Sequence, residues 1–179
     1  RWQHGLVMLS FPLLVYTGFA LKYPQSWWAA PLLRWEARLG LRGAIHRAAA
    51  IVMVVGVVWH LIELVTSPRL RACMRHMLPS VRDARVALGT VAYYVGLATH
   101  APHGGTFNYA EKAEYWAFMW GTAVMTLTGF LLWFENTPLS YLPSWVPDVA
   151  TALHFYDAIL GPLAILVWHF YWVIFDPDV

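Results

Sequence analysis

Four long apolar segments, separated by polar or proline-rich stretches, dominate the pattern of this chain. Each has about the 20 residues that an α-helix needs to cross the hydrocarbon core of a bilayer. The segments are His4–Tyr23, Ala44–Val65, Glu114–Glu135 and Ala150–Phe175. The pattern predicts an all-α membrane protein, in which a bundle of four transmembrane helices forms a single domain over residues 1–179.

The connections between these segments predict short helices at the membrane surface. Trp27–Leu39 is amphipathic and rich in tryptophan, which is typical of an interfacial helix. Val86–Ala98 is apolar but too short to span, so we expect a surface or re-entrant helix there. Asn136–Asp148 contains three prolines and neither lysine nor arginine, and we expect an irregular connection.

Basic residues are concentrated in the second connection, which predicts the orientation of the chain. Cytoplasmic loops of membrane proteins carry an excess of lysine and arginine. We therefore expect the N-terminus, the second connection and the C-terminus on the cytoplasmic side of the inner membrane. The arginines favour contact with anionic lipid and do not indicate nucleic-acid binding. They are Arg69, Arg71, Arg75, Arg82 and Arg85.

Composition supports a membrane protein and excludes several cofactors. Hydrophobic residues make up 59% of the chain and charged residues only 12%. With Cys73 as the single cysteine, an internal disulfide, a cysteine-ligated iron–sulfur cluster and a covalently attached c-type haem are all excluded. Any haem is therefore held non-covalently.

Histidines in the four segments sort into two depths. Because the crossings alternate in direction, His46 and His154 fall near the outer face, and His4, His60 and His169 fall near the inner face. Ionisable residues inside a membrane are costly and usually functional. Layered histidines therefore suggest two stacked metal or haem sites, one at each depth.

The fourth segment carries a histidine near each end, and this spacing bears on the kind of site. Fifteen residues separate His154 from His169, roughly 22 Å along a helix and close to four turns. A structural zinc would need four ligands, whereas two axial imidazoles from different helices suit a six-coordinate haem. A histidine-based membrane metal transporter is the alternative function that these residues leave open.

Glycines lie near the proposed depths on three of the segments. Their small size suits either a flat macrocycle or close helix packing, and the sequence does not decide between them. They are Gly18, Gly56, Gly121 and Gly129.

Three short motifs and the paired histidines together resemble a known family. R-W-Q-H (Arg1–His4) opens the first segment, I-H-R (Ile45–Arg47) opens the second, and F-N-Y-A-E-K (Phe107–Lys112) precedes the third. In this order the chain resembles the di-haem cytochrome b subunits of membrane-bound formate dehydrogenases and nickel–iron hydrogenases, a family that includes bacterial cytochrome b561. The resemblance covers essentially the whole chain.

The resemblance implies two haem b groups with assigned ligands. His4 and His169 are expected to hold the inner haem, and His46 and His154 the outer one. His60 is the alternative inner ligand, and it otherwise lies beside that haem. Arg47 is expected either to pair with a haem propionate or to reach the membrane surface with its charged end.

One departure from the family concerns the fourth segment. Its two histidines are fifteen residues apart where the family resemblance implies fourteen. Gly161 and Pro162 lie between them. We expect a proline kink or a π-bulge there to absorb the extra residue.

The resemblance also implies a function in electron transport. Electrons would pass between a redox partner at the outer face and menaquinone or ubiquinone near the inner haem. The quinone site is expected at Asn108 and His169, with the backbone of Tyr109 and Ala110; an N-cap role for Asn108 is the alternative. The outer partner is expected to be a periplasmic iron–sulfur or multihaem cytochrome c subunit, within a hetero-oligomeric complex.

Overall fold

The computed structural model describes residues 2–134 and 142–175. Within these ranges the protein is helical and contains no strand. The helices are α1 (Trp2–Lys22), α2 (Ala30–Leu33), α3 (Glu36–Leu39), α4 (Leu41–Thr66), α5 (Pro68–Met77), α6 (Val81–Tyr94), α7 (Tyr109–Trp133), α8 (Trp145–Ala164) and α9 (Phe170–Phe175), with a π-helical turn (Ile165–His169) between the last two.

Four helical stretches are long and apolar enough to cross a membrane, which confirms the predicted all-α membrane bundle. They are α1, α4, α7 and the continuous stretch Trp145–Phe175. Many of their large apolar side chains are exposed, including Leu9, Ile51 and Leu127. Such surfaces are stable against lipid tails and would be unstable in water.

Several predicted boundaries were wrong. α7 begins at Tyr109 and not at Glu114, because a capping box starts the helix earlier: the Asn108 side chain accepts from the backbone and Glu111 accepts from the Asn108 N–H. α8 begins at Trp145 and not at Ala150. The predicted irregular connection before α8 falls partly on residues 135–141, outside the described residues.

The second connection is more helical than expected. Ser67 caps α5, with Pro68 in its first turn, and Ser80 and Asp83 form a capping box at the start of α6. α6 has no buried residue and carries Arg82, Asp83 and Arg85 near its start, which favours the surface helix of the two alternatives. In the first connection the predicted interfacial helix is divided into two short helices, α2 and α3.

The four crossings pack as two pairs. α1 lies along α4 and α7 lies along α8, whereas direct contact between the two pairs is sparse. Small buried residues let α1 and α4 approach each other closely, among them Ser10, Ala49 and Gly56. The pairs therefore face each other across a lightly packed zone.

The last crossing contains the local irregularity that its histidine spacing predicted. At the π-turn the N–H of Phe170 donates to the carbonyl of Ile165, five residues earlier. Such a turn absorbs one extra residue. His154 and His169 are thereby related about as they would be by fourteen residues of regular α-helix, and the predicted π-bulge is confirmed.

Candidate functional site

The outer histidines come from different helix pairs and face each other. His46 belongs to α4 and His154 to α8. Their ring centroids are 6.4 Å apart, and the ring planes are inclined by 60°. The two rings thus meet across the zone between the pairs.

A threonine on the neighbouring helix orients each outer ring. The Thr17 hydroxyl donates to the Leu13 carbonyl at 2.5 Å, so its oxygen accepts from Nδ1–H of His46 at 2.8 Å. In a neutral imidazole this arrangement leaves Nε2 without a proton and available to a metal.

The second outer ring is held in the same way. The Thr128 hydroxyl donates to the Val124 carbonyl at 2.7 Å and accepts from His154 Nδ1–H at 2.9 Å. Both outer rings therefore present the same nitrogen, Nε2, as a potential ligand.

Glycines next to these threonines give the outer rings their room. A Cβ atom added to Gly18 would lie 3.6 Å from Cε1 of His46, and one added to Gly129 would lie 3.3 Å from Cε1 of His154. The tripeptide Thr-Gly-Phe occurs at 17–19 in α1 and again at 128–130 in α7. This repeat was the signal for both threonines, and the sequence reasoning missed it.

The inner pair repeats the ring spacing with different supporting groups. His4 of α1 and His169 of the π-turn have centroids 6.4 Å apart and planes inclined by 50°. His169 Nδ1 lies 2.5 Å from a carboxylate oxygen of Glu114 on α7. A carboxylate on Nδ1–H orients the ring, raises its basicity as a ligand and leaves Nε2 available to a metal.

His60 lies at the same end of the bundle but is engaged differently. Its Nδ1 is 3.3 Å from Oε1 of Gln3, and its Nε2 is 3.0 Å from the hydroxyl of Tyr115. Gln3 in turn donates to Glu63 at 3.0 Å. Both ring nitrogens of His60 therefore have protein partners, and the network joins α1, α4 and α7.

The remaining predicted site residues are Arg47, near the start of α4, and Asn108, Tyr109 and Ala110, at the start of α7. Arg47 is exposed, and its guanidinium lies 5.6 Å from the centre of the Trp133 ring. Oδ1 of Asn108 accepts from the backbone N–H of Ala110 at 3.3 Å, so Asn108 acts as an N-cap. Asn108 and Tyr109 also border a shallow pocket beside α6, whereas Ala110 is buried.

A family model for prokaryotic cytochrome b561 matches residues 1–179. The chain belongs to the prokaryotic cytochrome b561 family. It is therefore a membrane b-type cytochrome that transfers electrons, and its prosthetic group is b-type haem. This agrees with the family resemblance carried by the sequence motifs.

A curated relative adds a second comparison. The cytochrome is 23% identical to the "Formate dehydrogenase, cytochrome b556 subunit" of Haemophilus influenzae over 171 residues, which is 96% of this chain. The match covers 66% of the relative, so the chain spans about two thirds of that protein's length.

The spacing of the paired rings fits the group that the family implies. Two iron–imidazole bonds of about 2 Å each, with about 1.1 Å from each nitrogen to its ring centre, would place the centres of two ligating rings about 6.2 Å apart. Both pairs of the cytochrome show 6.4 Å. Within residues 2–134 and 142–175, no three or more His, Cys, Asp or Glu side chains are grouped to hold a metal ion. A pair of protein ligands suits a haem iron, because the porphyrin supplies its other four nitrogen ligands.

Proposed function

We propose that this cytochrome carries two b-type haems and transfers electrons across the inner membrane between an outer redox partner and a quinone. The observation that carries the proposal is the presence of two histidine pairs with the same 6.4 Å separation of ring centres. Because His154 and His169 are fifteen residues apart on one crossing, the pairs lie at two depths. Haem bound at each pair would supply a one-electron carrier.

We assign His46 and His154 to the outer haem and His4 and His169 to the inner haem. Thr17, Thr128 and Glu114 hold the Nδ1 side of three of these rings, which turns Nε2 toward the metal position. His60 is not a ligand in this assignment, because Gln3 and Tyr115 occupy both of its ring nitrogens. It lies beside the inner site as a link between the helix pairs.

The proposed quinone site lies at the N-terminus of α7. Glu114 contacts His169 and follows Asn108 by six residues on the same helix end, which supports a position for Asn108 close to the inner haem. The first N–H groups of a helix lack partners within it and act as donors to a carbonyl oxygen. Tyr109 would offer such a backbone group, whereas the N–H of Ala110 already donates to Oδ1 of Asn108. The Asn108 amide nitrogen would add a side-chain donor.

The distribution of basic residues supports the proposed orientation. α5 and α6 carry the arginines of the second connection, and the positive-inside rule places these helices, with the N-terminus, on the cytoplasmic side. The inner histidine pair then lies on the same side as the quinone site. The relative's name identifies it as a subunit of formate dehydrogenase. By this likeness we propose a hetero-oligomeric complex with an iron–sulfur or multihaem cytochrome c subunit at the outer face.

The experiment follows haem reduction by a quinol. The purified protein, mixed anaerobically with menaquinol or ubiquinol analogues, is expected to contain two haems per chain and to become reduced, as measured by its visible spectrum. The variant Asn108→Ala is expected to keep both haems and to lose at least tenfold in the rate of reduction by quinol.

Thr106→Ala, just before α7, serves as the matched control and is expected to behave like the parent. One haem per chain would contradict the proposed stoichiometry. An unchanged rate in Asn108→Ala would remove that residue from the quinone site.

A further inference from the structure

Two arginines near the start of α4 stand in different relations to the outer ligand His46. Arg42 precedes it by four residues, one helical turn, and so lies on the same face of α4 and closer to the helix N-terminus. Arg47 follows it directly and points to a neighbouring face. Its position next to His46 suggested Arg47 as a partner of a haem propionate, with an interfacial role as the alternative. The contacts in the structure distinguish the two arginines.

Arg42 is held by Glu36, but one donor of its guanidinium has no hydrogen-bond acceptor among the described residues. Its side chain is 15% exposed, and Nη2 lies 3.5 Å from Oε1 of Glu36. Glu36 also accepts from the backbone N–H of Arg42 at 2.5 Å, which fixes the carboxylate to the start of α4. Nε of Arg42 is buried and has no acceptor among the residues that the structure describes. A buried donor without an acceptor is costly, and for a charged group the cost is larger.

Arg47 shows the opposite arrangement. It is exposed, and its guanidinium lies over the ring of Trp133 on α7. This cation–π contact connects α4 with α7 and gives the charge a partner within the protein. Arg47 therefore has a partner within the protein, whereas the Nε–H of Arg42 lacks an acceptor among the described residues.

We propose that Arg42 binds a propionate carboxylate of the outer haem. The assignment rests on the proposed outer site at His46 and His154. Glu36 lies near Nη2 of the guanidinium, and the propionate would accept from the Nε–H, the donor that lacks an acceptor among the described residues. Charge-assisted hydrogen bonds of this kind are among the strongest in proteins. Arg42 thus anchors the edge of the macrocycle that points to the outer aqueous face.

The test compares native haem with haem whose propionates are methyl esters and carry no charge. A His4→Ala background, which the proposed function leaves with the outer haem only, is loaded with either form. Transfer of the haem to excess apomyoglobin is then followed by absorbance. Arg42→Gln is expected to accelerate loss of native haem on the order of tenfold or more and to leave loss of the ester unchanged.

Matched variants separate binding from folding. Arg47→Gln removes the same charge nearby and is expected to change loss of native haem less than twofold. Arg42→Lys keeps the charge without the Nε–H and is expected to fall between the parent and Arg42→Gln. Equal acceleration for both haem forms, or a larger effect of Arg47→Gln, would overturn the proposal. A His4→Ala protein that holds no haem would instead contradict the proposed function.

Discussion

The outer and inner histidine pairs have the same ring separation and opposite surroundings. Both outer rings are oriented by uncharged threonines. At the inner pair His169 is held by the carboxylate of Glu114, and His4 has no hydrogen bond within the described residues. Equal spacing would give both pairs the same proposed ligation, while the supporting groups make the surroundings of the two pairs electrically different.

Charges around the two ends strengthen this contrast. Lys22 lies 4.6 Å from the ring centre of Phe155, next to His154, and Arg42 and Arg47 flank His46 on α4. At the inner end the carboxylate of Glu114 contacts His169, and that of Glu63 accepts from Gln3, which also contacts His60. Positive charge favours a reduced haem and negative charge favours an oxidised one. We therefore expect a higher midpoint potential at the outer site than at the inner site.

The largest expected effect tests which histidines form the inner pair. His4→Ala is expected to reduce the haem content from two to one per chain, because it removes an axial ligand. His60→Ala is expected to keep both haems, because its ring nitrogens bond to Gln3 and Tyr115. Haem is measured per chain by the pyridine haemochrome spectrum.

Tyr115→Phe is the matched control for His60→Ala. It removes the hydrogen bond between α7 and His60 and leaves every histidine in the sequence. If His60→Ala loses one haem while His4→Ala loses none, the inner assignment is wrong. In that case α4 would supply one ligand to each site, His46 to the outer and His60 to the inner. The comparison of the two sites would then have to use the surroundings of His60 in place of those of His4.

A smaller effect tests the electrical difference between the sites. Glu114→Gln keeps a hydrogen-bond acceptor near Nδ1 of His169 and removes the negative charge. The midpoint potential of the inner haem is expected to rise on the order of 60 mV, a tenfold change in the relative stability of its two oxidation states. Spectroscopic redox titration of the haems measures this shift.

Thr128→Val is the outer counterpart, since it removes an uncharged partner from His154 with little change in volume. We expect a smaller shift there, confined to the outer haem. Equal shifts in both variants, or a fall in potential for Glu114→Gln, would show that the carboxylate does not set the difference between the sites.

Depth and periodicity made the four crossings and the histidine layers predictable from sequence. Apolar length defines a membrane helix whatever its neighbours are, so α1 and α4 were located to within three residues at their N-termini. The extra residue between His154 and His169 also predicted the π-turn. These features depend on one segment at a time.

Contacts between helices were not predictable in the same way. Thr17 and Thr128 orient histidines 29 and 26 residues away, and Glu114 contacts a residue on another crossing. Such pairings depend on how the helices rotate about their axes, which hydropathy does not specify. The capping box at Asn108 is local, and its Asn and Glu three residues apart are a sequence signal for a helix start. The prediction named the N-cap role only as an alternative for Asn108 and placed the start of the crossing at Glu114.

The smallest expected effect concerns the start of α7, at the end of the bundle that carries the inner histidine pair. Lys112 at the start of α7 lies 2.9 Å from Asp83 at the start of α6, and this hydrogen bond, with those from Ser80, holds the pKa of Asp83 below its usual value. A lowered pKa in the folded state stabilises the contact above the unfolded pKa of about 3.9, and the contribution is lost as the pH falls through the folded value. α6 is therefore expected to loosen only in acid, well below neutral pH.

A nitroxide label at Leu88→Cys, in a Cys73→Ser background, reports the mobility of α6 by electron paramagnetic resonance. The label is expected to be restrained at pH 7 and to become more mobile as the pH falls through the lowered pKa of Asp83. Lys112→Met removes the ion pair and keeps the capping box of α6. In this variant the label on α6 is expected to be mobile at pH 7 as well as in acid. Equal restraint of the parent in acid and at neutral pH would show that apolar contact, and not Asp83, holds α6 beside the inner site. The surface helix would then be coupled to that site through packing alone, since no other charged pair joins α6 to α7 within the described residues.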